Sequence, residues 1–237
     1  RGDLGVEIPI EKVPRAQKMI IARTNAAAKP VITATQMLSS MVDSPRPTRA
    51  EVTDVANAIL DGTDAIMLSE ETAMGSYPVE AVRVMARVAA ETEQVFDYEG
   101  WTLKFKSEKT MSFEAAVALS AVEMAQAIDA AAIITYTLSG STTRLVARHR
   151  PRQQLLTMTS IRQTAREMAL VFGAEPLLTP EAPGARMLEK LAIKEAVRCG
   201  YLQKGDAVII TAGLPFDVVG TTNLIKAARV GRKDGSL

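Results

Sequence analysis

Helical stretches and short β-branched runs alternate along this chain, and that alternation narrows the fold more than any other feature. Residues 11–28 place Val13, Ala16, Met19, Ile20 and Arg23 at steps of three and four, which predicts a helix. Lys29-Pro30 then leads into the β-branched run Val31–Thr35, and Gln36–Met41 reads as helical again. The prolines of Ser44-Pro45-Arg46-Pro47 fix φ and remove two donors, so this is a stiff loop. Thr48-Arg49-Ala50-Glu51 has the form of a capping box and opens a helix that Gly62 stops. Asp64–Ser69 is a second strand and Glu70–Tyr77 a loop. Pro78 opens another helix at the position where proline is best tolerated. Strands joined through helices in this way run parallel with right-handed crossovers.

Residues 97–110 have no clear period and read as a linker or a short irregular segment. A second α/β unit follows over residues 111–237. It has predicted helices at 113–128, 142–149, 162–171 and 185–199, and predicted strands at 132–136, 154–159, 175–178, 206–211 and 223–230. The connection from Thr211 to Asn223 lacks a helical pattern, so the last strand is expected to run antiparallel. The expectation is a mostly parallel five-stranded sheet with helices on both faces, a complete three-layer α/β domain. The first unit, over residues 1–96, lacks a strand before Arg1. Arg1-Gly2-Asp3-Leu4-Gly5 reads as the end of a βα loop whose strand lies upstream of this sequence.

Aromatic residues make up only 4% of the chain, so the core is expected to be built from Ala, Val, Ile, Leu and Met. A net charge of +1 asks for neither nucleic acid nor an anionic membrane as partner. No apolar run approaches a membrane span. The single cysteine, Cys199, excludes a disulfide within the chain and is expected to be a small core residue in a reducing, cytoplasmic setting. The single histidine, His149, precedes Arg150-Pro151-Arg152 and reads as a cation at a helix end.

Function in parallel α/β folds collects at the carboxyl ends of the strands. Asp3 lies in the first such loop, Thr33, Thr35 and Gln36 in the next, and Ser69, Glu71 and Thr72 in the last. Acids, hydroxyls and glycines suit a hard cation and a phosphate better than zinc or thiol chemistry. A strand-ending Thr or Ser is also an ordinary helix cap, so the pattern alone leaves the reaction open. In the second unit, Ser139-Gly140-Ser141-Thr142-Thr143 stands between a strand and a helix. It fits either an anion site or a simple cap.

Five stretches in order resemble the pyruvate kinase family. They are Arg1-Gly2-Asp3-Leu4-Gly5, Lys29–Leu38 (KPVITATQML), Pro45–Glu51 (PRPTRAE), Asp54–Ala58 (DVANA) and Ile66–Ala73 (IMLSEETA). Gly220-Thr221-Thr222-Asn223 is similar to the family's terminal strand. The resemblance covers essentially the whole chain. It implies the last part of a (β/α)8 TIM barrel over residues 1–96, followed by the family's carboxyl-terminal α/β domain over residues 111–237.

The resemblance also implies an activity: phosphoryl transfer from phosphoenolpyruvate to ADP, giving pyruvate and ATP in glycolysis. It implies Mg2+ or Mn2+ as divalent cation, K+ with ligands outside this chain, a cytoplasmic homotetramer and allosteric control. Carried over by motif, Asp3 would ligate the divalent cation, and backbone N–H groups of Gly2 and Asp3 would hold the substrate carboxylate. Thr35 would hydrogen-bond that carboxylate, Ser69 would join the hydroxyl network near the enolate carbon, and Arg49 would sit at a subunit interface. Glu70 departs from the family's usual glycine and adds a negative charge beside an anion site. The loop containing Thr137, Ser139, Gly140, Ser141 and Thr142 corresponds to the family's site for a phosphorylated activator. Leu138 and Ser141 replace cations found there in some members, and Asp217 on the facing loop would repel phosphate. The family's catalytic lysine, phosphate-binding arginine and second acidic metal ligand precede Asp3, so this chain alone is expected to be inactive. The alternative reading is a non-catalytic effector-binding module.

Overall fold

The computed structural model describes residues 1–106, 111–181, 184–215 and 220–231. Asp217 of the facing loop lies outside the described residues. The chain divides into two compact units, Arg1–Asp97 and Tyr98–Leu237.

The first unit runs α1 (Gly2–Glu7), α2 (Val13–Ala26), β1 (Ile32–Ala34), α3 (Arg49–Leu60), β2 (Ala65–Met67), α4 (Glu70–Ala73) and α5 (Pro78–Gln94). The two strands pair in parallel, Ile32 with Ala65, Thr33 with Ile66 and Ala34 with Met67. The expected capping box is present: the Glu51 amide donates to Thr48 Oγ1, and the Thr48 amide donates to the Glu51 side chain. Pro78 occupies the first turn of α5, as expected. Val55, Ala58 and Ile59 of α3 and Ala81, Val84 and Met85 of α5 enclose Met37, Leu38 and Met41, each of which is fully buried.

Gln36–Met41 is not the helix its pattern predicts. Only Ser39–Val42 forms a single 3-10 turn. Thr35 and Gln36 both stand at positive φ, +79° and +53°, where a right-handed helix cannot start. The apolar side chains are buried by the loop's path, not by a helical face.

The second unit runs α6 (Tyr98–Lys106), α7 (Phe113–Ala127), β3 (Ala132–Tyr136), α8 (Ser141–Ala147), β4 (Gln154–Thr159), α9 (Arg162–Met168), β5 (Ala174–Leu178), α10 (Ala185–Arg198), β6 (Ala207–Gly213) and β7 (Thr222–Arg229). Its sheet order is β5-β4-β3-β6-β7, parallel except for β7, which pairs antiparallel with β6. The expected five-stranded sheet with its antiparallel last strand is therefore present. Alternate residues of the central strands feed two cores. Ile134, Leu156, Met158, Val208 and Ile210 pack with Leu188, Ala192 and Ala196 of α10. Ile133, Leu155 and Ile209 pack with Ala118, Ala121, Val122 and Ala125 of α7, Val146 of α8 and Met168 of α9. Burying one Leu or Ile completely is worth about 1.5–3 kcal/mol, and these two layers bury most of the strand residues.

Three sequence expectations need correction in this unit. The stretch after Asp97 is helical over Tyr98–Lys106 instead of irregular. Trp101 and Thr102 are buried there, Trp101 Nε1 donates to the Arg148 carbonyl (2.9 Å), and Thr102 Oγ1 donates to the His149 carbonyl (3.2 Å). Tertiary docking stabilises a helix whose pattern is too short to announce itself. His149 is not the helix-end cation its position suggests: it is fully buried, and burial together with the neighbouring Arg148 charge depresses its pKa to about 3. Cys199 is not a core residue: it is the exposed C-cap of α10, its thiol 3.8 Å from Glu195 Oε1.

Candidate active site

Three chain segments of the first unit carry the candidate residues, and two charged side chains tie them together. The first segment is the start of α1. Arg1 reaches across to the end of β1, its Nε donating to the Ala34 carbonyl (3.1 Å) and its Nη2 to the Thr35 carbonyl (2.6 Å). Nη1 bonds Asp54 of α3 at 2.7 Å. A planar guanidinium serves two carbonyls and a carboxylate at once, which a lysine cannot do. Gly2 therefore lies against Thr35, and a Cβ at Gly2 would stand 3.0 Å from Thr35 Cγ2. Asp3 is exposed in the first turn of α1.

The second segment is the connection after β1. Thr35 is half-buried and held at φ +79°, which is costly for a β-branched residue. Beyond it, the 3-10 turn is gripped by Glu51, which accepts from the Ser40 amide (2.7 Å) and the Ser40 hydroxyl (2.6 Å) as well as from Thr48. Burial raises the Glu51 pKa, but these bonds outweigh it and hold the carboxyl below its ordinary value.

The third segment follows β2. Ser69 is exposed ahead of α4, and its amide donates to Glu71 Oε2 at 2.8 Å. Glu70 is exposed and accepts from Ser39 Oγ at 2.5 Å. Arg49 is exposed in the first turn of α3.

In the second unit, Gly140 N donates to Thr137 Oγ1 (2.9 Å), Ser139 Oγ donates to Ser141 Oγ (3.2 Å), and Thr142 Oγ1 pairs with Thr222 Oγ1 of β7 (2.7 Å). Thr142 is 3% exposed, so its hydroxyl belongs to the fold's interior. Arg144, which the sequence did not single out, folds back to donate to the Ser139 carbonyl (2.9 Å).

Residues 1–82 match the pyruvate kinase barrel domain, and residues 115–228 match the pyruvate kinase alpha/beta domain. The chain belongs to the pyruvate kinase family. It is 47% identical over 226 residues to the pyruvate kinase of Clostridium acetobutylicum, covering 95% of this chain and 48% of that one. It is 48% identical over 229 residues to the pyruvate kinase of Geobacillus stearothermophilus, covering 95% of this chain and 38% of that one. A solved pyruvate kinase from Cryptosporidium parvum superposes with a TM-score of 0.90 at 42% identity, over 97% of this chain and 46% of that one. The chain thus spans less than half the length of these pyruvate kinase relatives.

Against that family the donor set is partial. Among the described residues no three His, Cys, Asp or Glu side chains gather as a metal site. Asp3 is one exposed, hard carboxylate, the ligand type that Mg2+ takes singly or in pairs alongside substrate oxygens. Among the described residues no helix is long and apolar enough to cross a membrane. The bridging role of Arg1 was not legible in the sequence, and Glu71, named there among the strand-end candidates, has a different place from the one its pattern suggests. A lone arginine carries no pattern signal. An acid among strand-end hydroxyls reads as an exposed ligand, whereas Glu71 is fully buried.

Proposed function

We propose that this chain forms one wall of a site that transfers the phosphoryl group of phosphoenolpyruvate to ADP, giving pyruvate and ATP. The observation that carries the reading is the Arg1 fork on the Ala34 and Thr35 carbonyls, which sets Gly2, the residue before Asp3, against Thr35. The backbone N–H groups of Gly2 and Asp3 bind the substrate carboxylate, and the Thr35 hydroxyl donates to the same group. Ser69 supplies a hydroxyl to the network that brings a proton to the enolate carbon. Asp3 would be one ligand of Mg2+ or Mn2+, a cation that would supply charge neutralisation when bound. K+ is held by groups elsewhere. Such a transfer needs positioning and charge neutralisation more than covalent help from the protein.

The same reading makes the protein a cytoplasmic homotetramer with Arg49 at a subunit interface. It gives residues Thr137–Thr142 to a phosphorylated effector held by Ser139, Ser141 and backbone N–H groups, since the Thr142 hydroxyl is engaged by Thr222. Calorimetric titration of sugar phosphates and nucleotides tests that assignment; silence across the panel removes it.

The first unit contains two strands, whereas a (β/α)8 barrel needs eight. The 237-residue chain alone is therefore expected to show no phosphoenolpyruvate-dependent ATP synthesis. A chimera in which this chain replaces the matching portion of the Geobacillus stearothermophilus relative is expected to turn over in an assay coupled to pyruvate reduction. A folded chimera without turnover would refute the reading, and turnover by the chain alone that Asp3→Ala abolishes would refute the expectation that the isolated chain is inactive.

A further inference from the structure

Glu71 stands among strand-end hydroxyls, yet it is fully buried and turns both oxygens to backbone amides. Leu38 N donates to Oε1 (3.0 Å) and Ser69 N donates to Oε2 (2.8 Å). Leu38 follows Thr35 on the connection after β1, and Ser69 starts the connection after β2. We propose that Glu71 is a positioning residue that fixes the Thr35 and Ser69 segments relative to each other while touching no substrate itself. The proposal rests on the functional reading above only in taking Thr35 and Ser69 as the groups worth aligning.

Three observations support it. The β1–β2 ladder ends at the Ala34–Met67 pair, so regular strand pairing stops short of both candidate residues. Glu71 bridges the two segments beyond that point. Thr35 and Gln36 occupy left-handed conformations that persist only where the surroundings over-determine them. Arg1 holds this loop at its Thr35 end and Glu71 at its Leu38 end. Finally, the chemistry demands a carboxylate. Two converging N–H donors need two acceptor oxygens, and Gln would turn an NH2 group towards one of them. Burial pushes the Glu71 carboxyl up in pKa and the Glu51 charge adds to that, but the amides of Leu38, Ser69 and Glu71 itself outweigh both, and the group stays ionised at neutral pH. Glu70, next in the chain, is exposed and bonds a surface serine, so neither its burial nor its partners duplicate this bridge.

The test is nuclear magnetic resonance on the full, isotope-labelled 237-residue chain. In the wild type, the Leu38 and Ser69 amide shifts are expected to titrate together, with one midpoint below glutamate's ordinary 4.5. In Glu71→Gln, the Thr35 and Ser69 Cα shifts are expected to move, and exchange of the Leu38 and Ser69 amides to quicken about tenfold or more. Amides of Val55 and Val84 should keep their shifts. Glu71→Asp, one methylene shorter, should keep one amide protected and lose the other. The proposal is overturned if Glu71→Gln folds with Thr35 and Ser69 shifts unchanged. It is equally overturned if the two wild-type amides titrate separately or not at all, a result that decides the matter even where Glu71→Gln fails to fold. An inactive chimera with a shared titration would sink the functional reading and leave the Glu71 bridge standing.

Discussion

Replacing Gly140 by alanine should destabilise the second unit by an amount that the structure itself apportions. Gly140 stands at φ +79° ahead of α8. A left-handed conformation costs an L-residue about 1–2 kcal/mol. The new Cβ would also lie 2.4 Å from Met168 Cε, 2.7 Å from Met168 Sδ and 2.8 Å from Arg144 Nη1. Arg144 can swing aside, but Met168 is 1% exposed and packed with Ile133, Val146 and Leu155. Overpacking of that kind adds about 1–3 kcal/mol, for a sum of about 2–5 kcal/mol. Gly173 supplies the control: its φ is +64°, and a Cβ there meets nothing within 4 Å. Gly173→Ala should therefore show the conformational cost alone. The chain has one tryptophan, Trp101, which is buried in the second unit, so its fluorescence in urea reports on that unit. With a slope of about 2 kcal/mol per M, the Gly140→Ala midpoint should fall by about 1–2.5 M. The Gly173→Ala midpoint should fall by only about 0.5–1 M. Equal midpoints for the two variants would refute the steric part of this reasoning.

Three other perturbations follow from the same contacts. His149 has a folded pKa of about 3 against an ordinary 6.5, so the unfolded chain binds the extra proton between those values. The second unit should hold its full His149 contribution above pH 6.5 and lose about 1.4 kcal/mol per pH unit as the pH falls towards 3; Trp101 fluorescence across pH checks this, and an unchanged slope in His149→Gln contradicts it. Thr48→Ala removes the N-cap of α3 and should cost the first unit about 1 kcal/mol, read from amide exchange in α3, with no effect if the capping box is only incidental. Arg1→Lys cannot reproduce the fork on Ala34 and Thr35 and should cost about 1.5–3 kcal/mol; unchanged Thr35 shifts and exchange would show that the fork does not hold the loop.

Most of the architecture could be read from local pattern, and the exceptions share a cause. The capping box at Thr48–Glu51, Pro78 at the head of α5 and the antiparallel β7 were each readable because the signal lies within a few residues. Gln36–Met41 misled because its apolar spacing is helical while Thr35 and Gln36 adopt positive φ, a choice enforced by partners distant in sequence such as Arg1. Trp101 and His149 were misread for the same reason: Trp101 docks on the Arg148 carbonyl, 47 residues away, and that docking accompanies the burial of the neighbouring histidine. In the candidate site, the motif residues Gly2, Asp3, Thr35 and Ser69 could be named from sequence. The roles of Arg1 and Glu71 in holding them could not, although both residues stand in or beside those motifs, because a backbone-directed hydrogen bond leaves no periodicity.

The most direct test of the central claim is the effect of Asp3→Ala on steady-state turnover of the chimera, measured across a titration of Mg2+. If Asp3 ligates the divalent cation beside the substrate, kcat should fall by about a hundredfold or more, and the Mg2+ concentration needed for half-maximal rate should rise. Turnover and Mg2+ dependence that are the same in the Asp3→Ala chimera as in the unsubstituted one would contradict the claim that this segment is a wall of the phosphotransfer site.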